Sequence, residues 1–228
     1  MAKALLEETF CIPATATRDL EGFRRWARSD RFPERGRIDY LAGDLEVDMS
    51  PEELHTHGLA KSEIATTLQL LVARPHKGYV YIDRARISSP GAQLSVEPDV
   101  VVVLWDSLDQ GRVREVPSAK PEEGRLIEME GAPDLVVEVV SRWSVRKDLK
   151  RLPALYAVAG VPELWVVDAR RKTIRCEIRT LEAGGYRTTL PPDVDGWVFS
   201  PLLNLRFRLR REEVRPGRWS YRLEHTES

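Results

Sequence analysis

Residues Ala132 to Lys150 read APDLVVEVVSRWSVRKDLK. From Leu135 to Val140 the run is apolar except for Glu138. Continuous apolar runs of this length are strands buried on both faces. A charged side chain inside such a strand is costly unless a partner compensates it. Glu138 therefore lies where the strand meets a cleft, or it is paired. After Ser141 the chain turns basic, with Arg142, Arg146, Lys147, Lys150 and Arg151. An acid at the mouth of a buried strand, beside cations, points to a metal and a phosphate.

Two further runs match this strand. EPDVVVVLWD contains a buried strand over Val100 to Leu104, with Asp99 at its entrance, and Pro98 is tolerated because it precedes the ladder. ELWVVD, Glu163 to Asp168, is a third. Between the last two, Leu149, Leu152, Leu155 and Tyr156 recur at helical spacing. Pro153 would break a helix interior, so the spacing predicts a helix that starts late, near Lys150, or kinks, and stops at Gly160 and Pro162. Thr173 to Leu181 pairs back on the third strand, and another strand runs around Tyr186 to Leu190.

Upstream, Asp19 to Arg28 reads as a helix with Leu20, Phe23 and Ala27 on one face. Its arginines are read as a solvated face balanced by acids rather than a DNA patch. Gly36 to Met49 reads as a hairpin turning at Ala42-Gly43-Asp44, with Asp39 and Asp48 solvated. Ser50, Pro51 and Glu53 form a capping box that opens the next helix. Leu54, Ile64, Leu68 and Leu71 make its apolar stripe through to about Arg74, with His57, Lys61 and Glu63 nearby. Gly78 to Ser88 alternates as one strand. Asp106 to Gly131 is a polar excursion between core strands, a length that is usually functional or flexible, with one short strand over Arg125 to Met129. Near the end, Leu205, Phe207 and Leu209 alternate with Arg206, Arg208 and Arg210, which reads as an edge strand or dimer extension with a basic outer face. This divides the chain into an arm (1–17), one domain (18–190) and a C-terminal strand extension packed on that domain (191–228).

The bounds on function are simple. The chain has 228 residues, 42% hydrophobic and 31% charged, with a net charge of −1. That balance gives no general attraction to nucleic acid, so any anion site is a local patch. Two cysteines, Cys11 and Cys176, are too few for a disulfide framework or a cysteine zinc site. Neither a signal peptide nor a membrane span is evident, so a soluble protein of a reducing, cytoplasmic compartment is expected.

Two carboxylates from adjacent buried strands, Asp99 and Glu138, can hold a hard divalent cation through oxygen. A metal-bound water can then attack phosphorus in line, with a lysine neutralising the developing charge. The bland alternative has Asp99 capping a turn and Glu138 paired with a local arginine. Other chemistries lack their residues. His55 and His57 do not have helical zinc spacing, and neither a nucleophile elbow nor a glycine-rich phosphate loop is present. Ser141 has no histidine base in view.

EPDVVVV, GAPDLVVEVVS, SVRKD and LYAVAGVPELWVVDARRKTI, in that order, resemble the Uma-type restriction-endonuclease-like family of the PD-(D/E)xK nuclease superfamily. IDYLAGDLEVDMSPEELHTH fits the same pattern upstream, so the resemblance covers about Gly36 to Arg187. It implies an α/β (α+β) fold, a central mixed sheet flanked by helices, with an extra N-terminal helix and hairpin and extra C-terminal strands. It also implies hydrolysis of DNA phosphodiester bonds with Mg²⁺ (or Mn²⁺). Asp99 matches the aspartate of the PD element and Glu138 the acid of (D/E)xK, and the Val139 main-chain carbonyl would be a further ligand. The chain departs from the motif at its lysine, which is Val140 here. Family members that supply the lysine from the following helix do so where this chain has Leu152. Lys147, nearest the strand end, is the expected replacement, ahead of Lys150. Glu63 matches the helical acid that some superfamily members add. Arg142, Arg146, Lys150 and Arg151 would receive the nucleic-acid backbone. The alternative is a degenerate, dimeric DNA- or protein-binding module whose motif has decayed at Val140 and Leu152. A lysine ammonium within reach of the two acids favours the enzyme.

Overall fold

A computed structural model describes residues 11–189 and 194–227. Residues 1–10 of the expected arm, and Leu190 at the end of the expected strand from Tyr186, lie outside it. Helix α1 (Leu20–Ala27) starts where the Asp19 carboxylate accepts the Gly22 amide at 2.7 Å, a side-chain cap for an orphan donor. The hairpin is β1 (Arg37–Leu41) and β2 (Asp44–Asp48). Ala42 and Gly43 between them both take positive φ, as the tight two-residue hairpin turn requires.

The next helix does not begin at Ser50. Both the amide and the hydroxyl of Ser50 donate to the Asp48 carboxylate, so Ser50 caps nothing. Glu53 caps instead, accepting the amides of His55, Thr56 and His57, and its charge suits a helix N-terminus. The helical stretch then runs through a wide π-type turn (Leu54–Gly58), α2 (Leu59–Leu68) and a second wide turn (Gln69–Ala73). Leu54 is 73% exposed, outside the stripe, whereas Ile64 and Leu68 are buried.

The alternating run from Gly78 is two strands, not one. β3 (Gly78–Ile82) and β4 (Arg86–Ser89) lie in different sheets. Between them Asp83 and Arg84 adopt φ of 50° and 46°, a left-handed pair that side chains other than glycine disfavour. β5 (Leu94–Val96) and β6 (Val100–Leu104) follow. The polar excursion is more ordered than its composition predicts. It holds most of α3 (Trp105–Asp109) and the antiparallel pair β7 (Val113–Pro117) and β8 (Leu126–Gly131). β9 (Leu135–Val139) is buried throughout. Helical backbone runs without a break from Val145 through a wide turn (Lys147–Arg151) into α4 (Leu152–Ala159), so Pro153 directly follows the stretch where the regular hydrogen-bond ladder is already interrupted. Gly160, at φ 85°, ends the helix. The chain finishes with β10 (Glu163–Asp168), β11 (Arg175–Glu182), β12 (Gly185–Thr188), β13 (Val198–Ser200), β14 (Leu205–Arg215) and β15 (Arg218–Glu227).

The central sheet has the order β12-β11-β10-β9-β6-β3. It is mixed: β9 runs parallel to β10, across the α4 connection, and antiparallel to β6. One face carries Leu135, Val137 and Val139 and packs on α2 and the small sheet β13-β14-β15. The other carries Val136 and Val140 and packs on α4 and a second sheet, β2-β1-β5-β4-β8-β7. That second sheet is covered on its far side by α1, through Phe23, Trp26, Ile38 and Tyr40. The basic strand β14 is the middle of three, not an edge. Phe207 and Leu209 point into the core, and Arg208 pairs with Glu224 on β15 at 2.6 Å. Among the described residues no helix is long and apolar enough to cross a membrane.

Candidate active site

The antiparallel register of β6 and β9 pairs Val100 with Val137 and Val101 with Val136. One step further sets Asp99 opposite Glu138, and directly opposed residues share a face. Both are 1% exposed. Asp99 is surrounded by donors. Its Oδ2 accepts the Val139 amide at 2.8 Å and lies 3.3 Å from His57 Nε2, while its Oδ1 accepts Arg37 Nη2 at 3.1 Å. Burial would raise its pKa, but His57, Arg37 and the Val139 amide hold it well below the usual carboxylate range. Glu138 moves the other way. Burial first, then the charges of Asp148 and Asp99, raise it well above its ordinary value, and Tyr156 on α4 donates its hydroxyl to Oε1 at 2.5 Å.

The turn after β9 completes the floor. Ser141 and Ser144 exchange amide-to-hydroxyl bonds, and the Ser144 hydroxyl donates to the Asp148 carboxylate. Burial pushes the Asp148 pKa up to about 7. Lys147 is buried too, with Nζ 2.9 Å from Asp39 Oδ2. Burial would lower its pKa, yet the charges of Asp39, Glu138 and Asp148 raise it. The ammonium expected at Glu138 is therefore held directly by Asp39, within the field of Glu138. Asp39 is not solvated as its alternating strand predicts. It is 2% exposed and also accepts the Glu97 amide. The reason is that β1 is buried on both faces, Ile38 and Tyr40 toward α1 and Leu41 toward the main core. Arg37 and Asp39 share the Leu41 face and so enter the site. Val140, at the motif's lysine position, is fully buried in the same apolar cluster as Leu152 and Tyr156.

The entry to α2 supplies a basic rim rather than an acid. His57 and Lys61, four residues apart, share a helix face. Glu52 bridges them, 2.9 Å from His57 Nδ1 and 2.6 Å from Lys61 Nζ, and Asp83 holds Lys61 at 2.8 Å. Burial would lower the His57 pKa, but Asp99 and Glu52 raise it. Glu63 lies elsewhere. Its carboxylate accepts the Leu223 amide of β15 at 2.9 Å, tying α2 to the small sheet. It is not among the acids gathered at Asp99, because two residues along a helix reverse the direction of the side chain.

A cavity of ≈ 520 Å³ opens over Asp148 between Arg37, His57 and Ser144. A second of ≈ 750 Å³ reaches Asp39 and Lys147, and Asp48, Ser50, Trp143 and Ser144 line both. Of the basic segment, Arg142, Arg146 and Lys150 are exposed. Arg151 is not available to a ligand in the same way. Its guanidinium binds the carboxylates of Asp44 and Glu46 and the Leu41 carbonyl, clasping the hairpin to the start of α4.

The donor set suits a hard cation. Mg²⁺ commonly takes one or two carboxylates and keeps several waters. Among the described residues no three His, Cys, Asp or Glu side chains converge on one point, so Asp99, Glu138 and the Val139 carbonyl would be the protein ligands. The crowding that raises Glu138 and Asp148 is what a divalent charge relieves. Asp99 would have to share oxygens that Arg37 and His57 now occupy.

This architecture is that of a nuclease-like mixed α+β fold. A crystal structure from Anabaena variabilis, described as a "putative nuclease belonging to DUF820", is similar with a TM-score of 0.57 over 81% of this chain and 90% of that one, at 18% identity. No curated protein matches the chain. Residues 20–211 match the Uma2 family, described as "Putative restriction endonuclease", and the chain belongs to that family.

Proposed function

We propose that the protein is a Mg²⁺- or Mn²⁺-dependent endonuclease that hydrolyses DNA phosphodiester bonds at the Asp99–Glu138 cleft. The observation that carries this reading is the antiparallel register of β6 and β9, which sets the buried Asp99 opposite Glu138, behind a cavity that Arg37, Val139 and Asp148 line. Asp99, Glu138 and the Val139 carbonyl would hold the metal. The bound metal supplies polarisation of a phosphoryl oxygen and a water that is deprotonated at neutral pH. Tyr156 fixes the Glu138 carboxyl in place through its hydroxyl. Lys147, kept charged by Asp39, offsets negative charge that builds on the phosphate. Asp148, with a pKa near neutrality, exchanges a proton with the cavity it lines. Arg142, Arg146 and Lys150 receive flanking phosphates.

The second reading is a dimeric DNA- or protein-binding module without catalysis. It is favoured by Val140, buried in apolar surroundings where the motif has lysine, and by Arg37 and His57, which already occupy the Asp99 oxygens. A cleavage assay on supercoiled and single-stranded DNA, with Mg²⁺, Mn²⁺ or a chelator, separates the two. Wild type is expected to cut only with metal. Asp99→Ala and Glu138→Ala are expected to lower the rate by about 10²-fold or more, the scale of losing one group that stabilises transition-state charge. Equal rates in all three proteins would remove the reaction from this cleft.

A further inference from the structure

Trp143 is 70% exposed. A single exposed apolar side chain needs no explanation by itself, but the seat of this one is unusual. Its amide donates to the Ser141 hydroxyl at 3.2 Å, inside the reciprocal Ser141–Ser144 turn that closes β9. The indole thus stands on a backbone held by side-chain bonds. It lines both cavities that meet above Asp148 and Lys147. The Arg142 guanidinium lies over its ring, 5.4 Å from the centroid, and Arg146 lines the same second cavity.

We propose that Trp143 is a stacking platform for an unpaired base, and that the substrate of this cleft is single-stranded nucleic acid or a strand locally freed from its partner. The inference rests on the nuclease reading and names its substrate class. An aromatic face presented together with cations is the combination by which proteins hold single strands, since every base has a π-face and every linkage a phosphate. The exposed cations fit: Arg142 lines the first of the two cavities beside the indole and Arg146 the second. The depth fits as well. Asp148, 2% exposed, lines a cavity of ≈ 520 Å³, and Asp99 lies behind Val139 and Arg37, which line it too. Pockets for small ligands span about 300–1,000 Å³, so the space is of a size to take a single nucleotide. In a duplex the base faces are covered by their neighbours and cannot reach an indole at the rim without unstacking.

The test is binding of a fluorescein-labelled oligothymidylate and of a duplex of equal length, followed by anisotropy with a chelator present. Wild type, Trp143→Phe and Trp143→Ala are compared as full-length proteins. Trp143→Ala is expected to weaken single-strand binding by about tenfold or more, with Trp143→Phe retaining most of it and duplex binding little changed. Equal loss on both forms, no loss on either, or a loss explained by a change of oligomeric state in sedimentation overturns the assignment. Because binding is read without turnover, the two readings fail separately. Trp143-dependent binding with no cleavage in any metal leaves the platform and removes the nuclease. Metal-dependent cleavage with Trp143-independent binding does the reverse.

Discussion

Asp148 is buried within the field of Lys147 and Asp99, and its raised pKa has a definite sign in stability. The carboxyl is protonated in the folded state up to pH about 7, whereas an unfolded aspartate loses its proton near 3.8. Between those values the folded state binds more protons, so this group makes stability fall as pH rises. The slope is at most ~1.4 kcal/mol per pH unit, and it is absent below the unfolded value. Asp148→Asn, which can still accept from Ser144, is expected to flatten the decline in Tm between pH 5 and pH 8 in chelator. Parallel profiles for the two proteins would show that Asp148 is ionised throughout. Asp99 and Glu138 were legible in the sequence because an acid in or beside an apolar run is conspicuous. Arg37, Asp39, His57 and Asp148 were not. Each sits in a polar stretch whose ordinary place is the surface, and burial came from elements far along the chain. The four-residue spacing of His57 and Lys61, which puts both on one helix face, is the sign of the rim that the sequence does carry.

At the scale of elements, the entry to α2 shows how a cap can be misassigned. Ser-Pro-x-Glu has the form of a capping box, yet a nearby acceptor, Asp48, engages the serine first. The carboxylate of Glu53 then takes three amides by itself. Glu53→Ala is expected to cost about 1 kcal/mol, a Tm lower by ~2–4 °C, while Ser50→Ala changes Tm by less. A Tm unmoved by Glu53→Ala would show that water serves those amides equally well. The same change frees the His57 amide and so loosens the rim. The break between β3 and β4 was hidden for a different reason. Alternation persists across Asp83 and Arg84, and the pattern of polar and apolar residues carries no sign of φ. By contrast β6, β9 and β10 announced themselves, since only strands buried on two faces tolerate so many consecutive β-branched residues.

At the scale of the molecule, the small C-terminal sheet shares a core with the central one. Phe207 is fully buried, with its ring centroid 4.8 Å from that of Trp165 on β10. We propose that residues 194–227 of the expected C-terminal extension fold with the main body as one unit. Phe207→Ala is expected to cost ~3–5 kcal/mol and to lower one shared transition, read identically by far-ultraviolet circular dichroism and tryptophan fluorescence. Two separated transitions would mark an independent unit. The buried runs fixed the strands of the central sheet but not their partners, because hydrophobic alternation is the same whichever neighbour a strand meets. The second large sheet, which joins β1 to β5 and β4 to β8, had no local signature for that reason.

The bonds that hold the cleft span long stretches of chain: 108 residues from Asp39 to Lys147 and 105 from Glu46 to Arg151. During synthesis at about 5–20 residues per second, Asp39 is joined to the chain roughly 5–20 s before its lysine exists. Until then its strand must wait with a buried-type carboxylate in water and one side uncovered. The nascent chain therefore carries the acids of the cleft but not the cleft, which forms only once translation has passed residue 151.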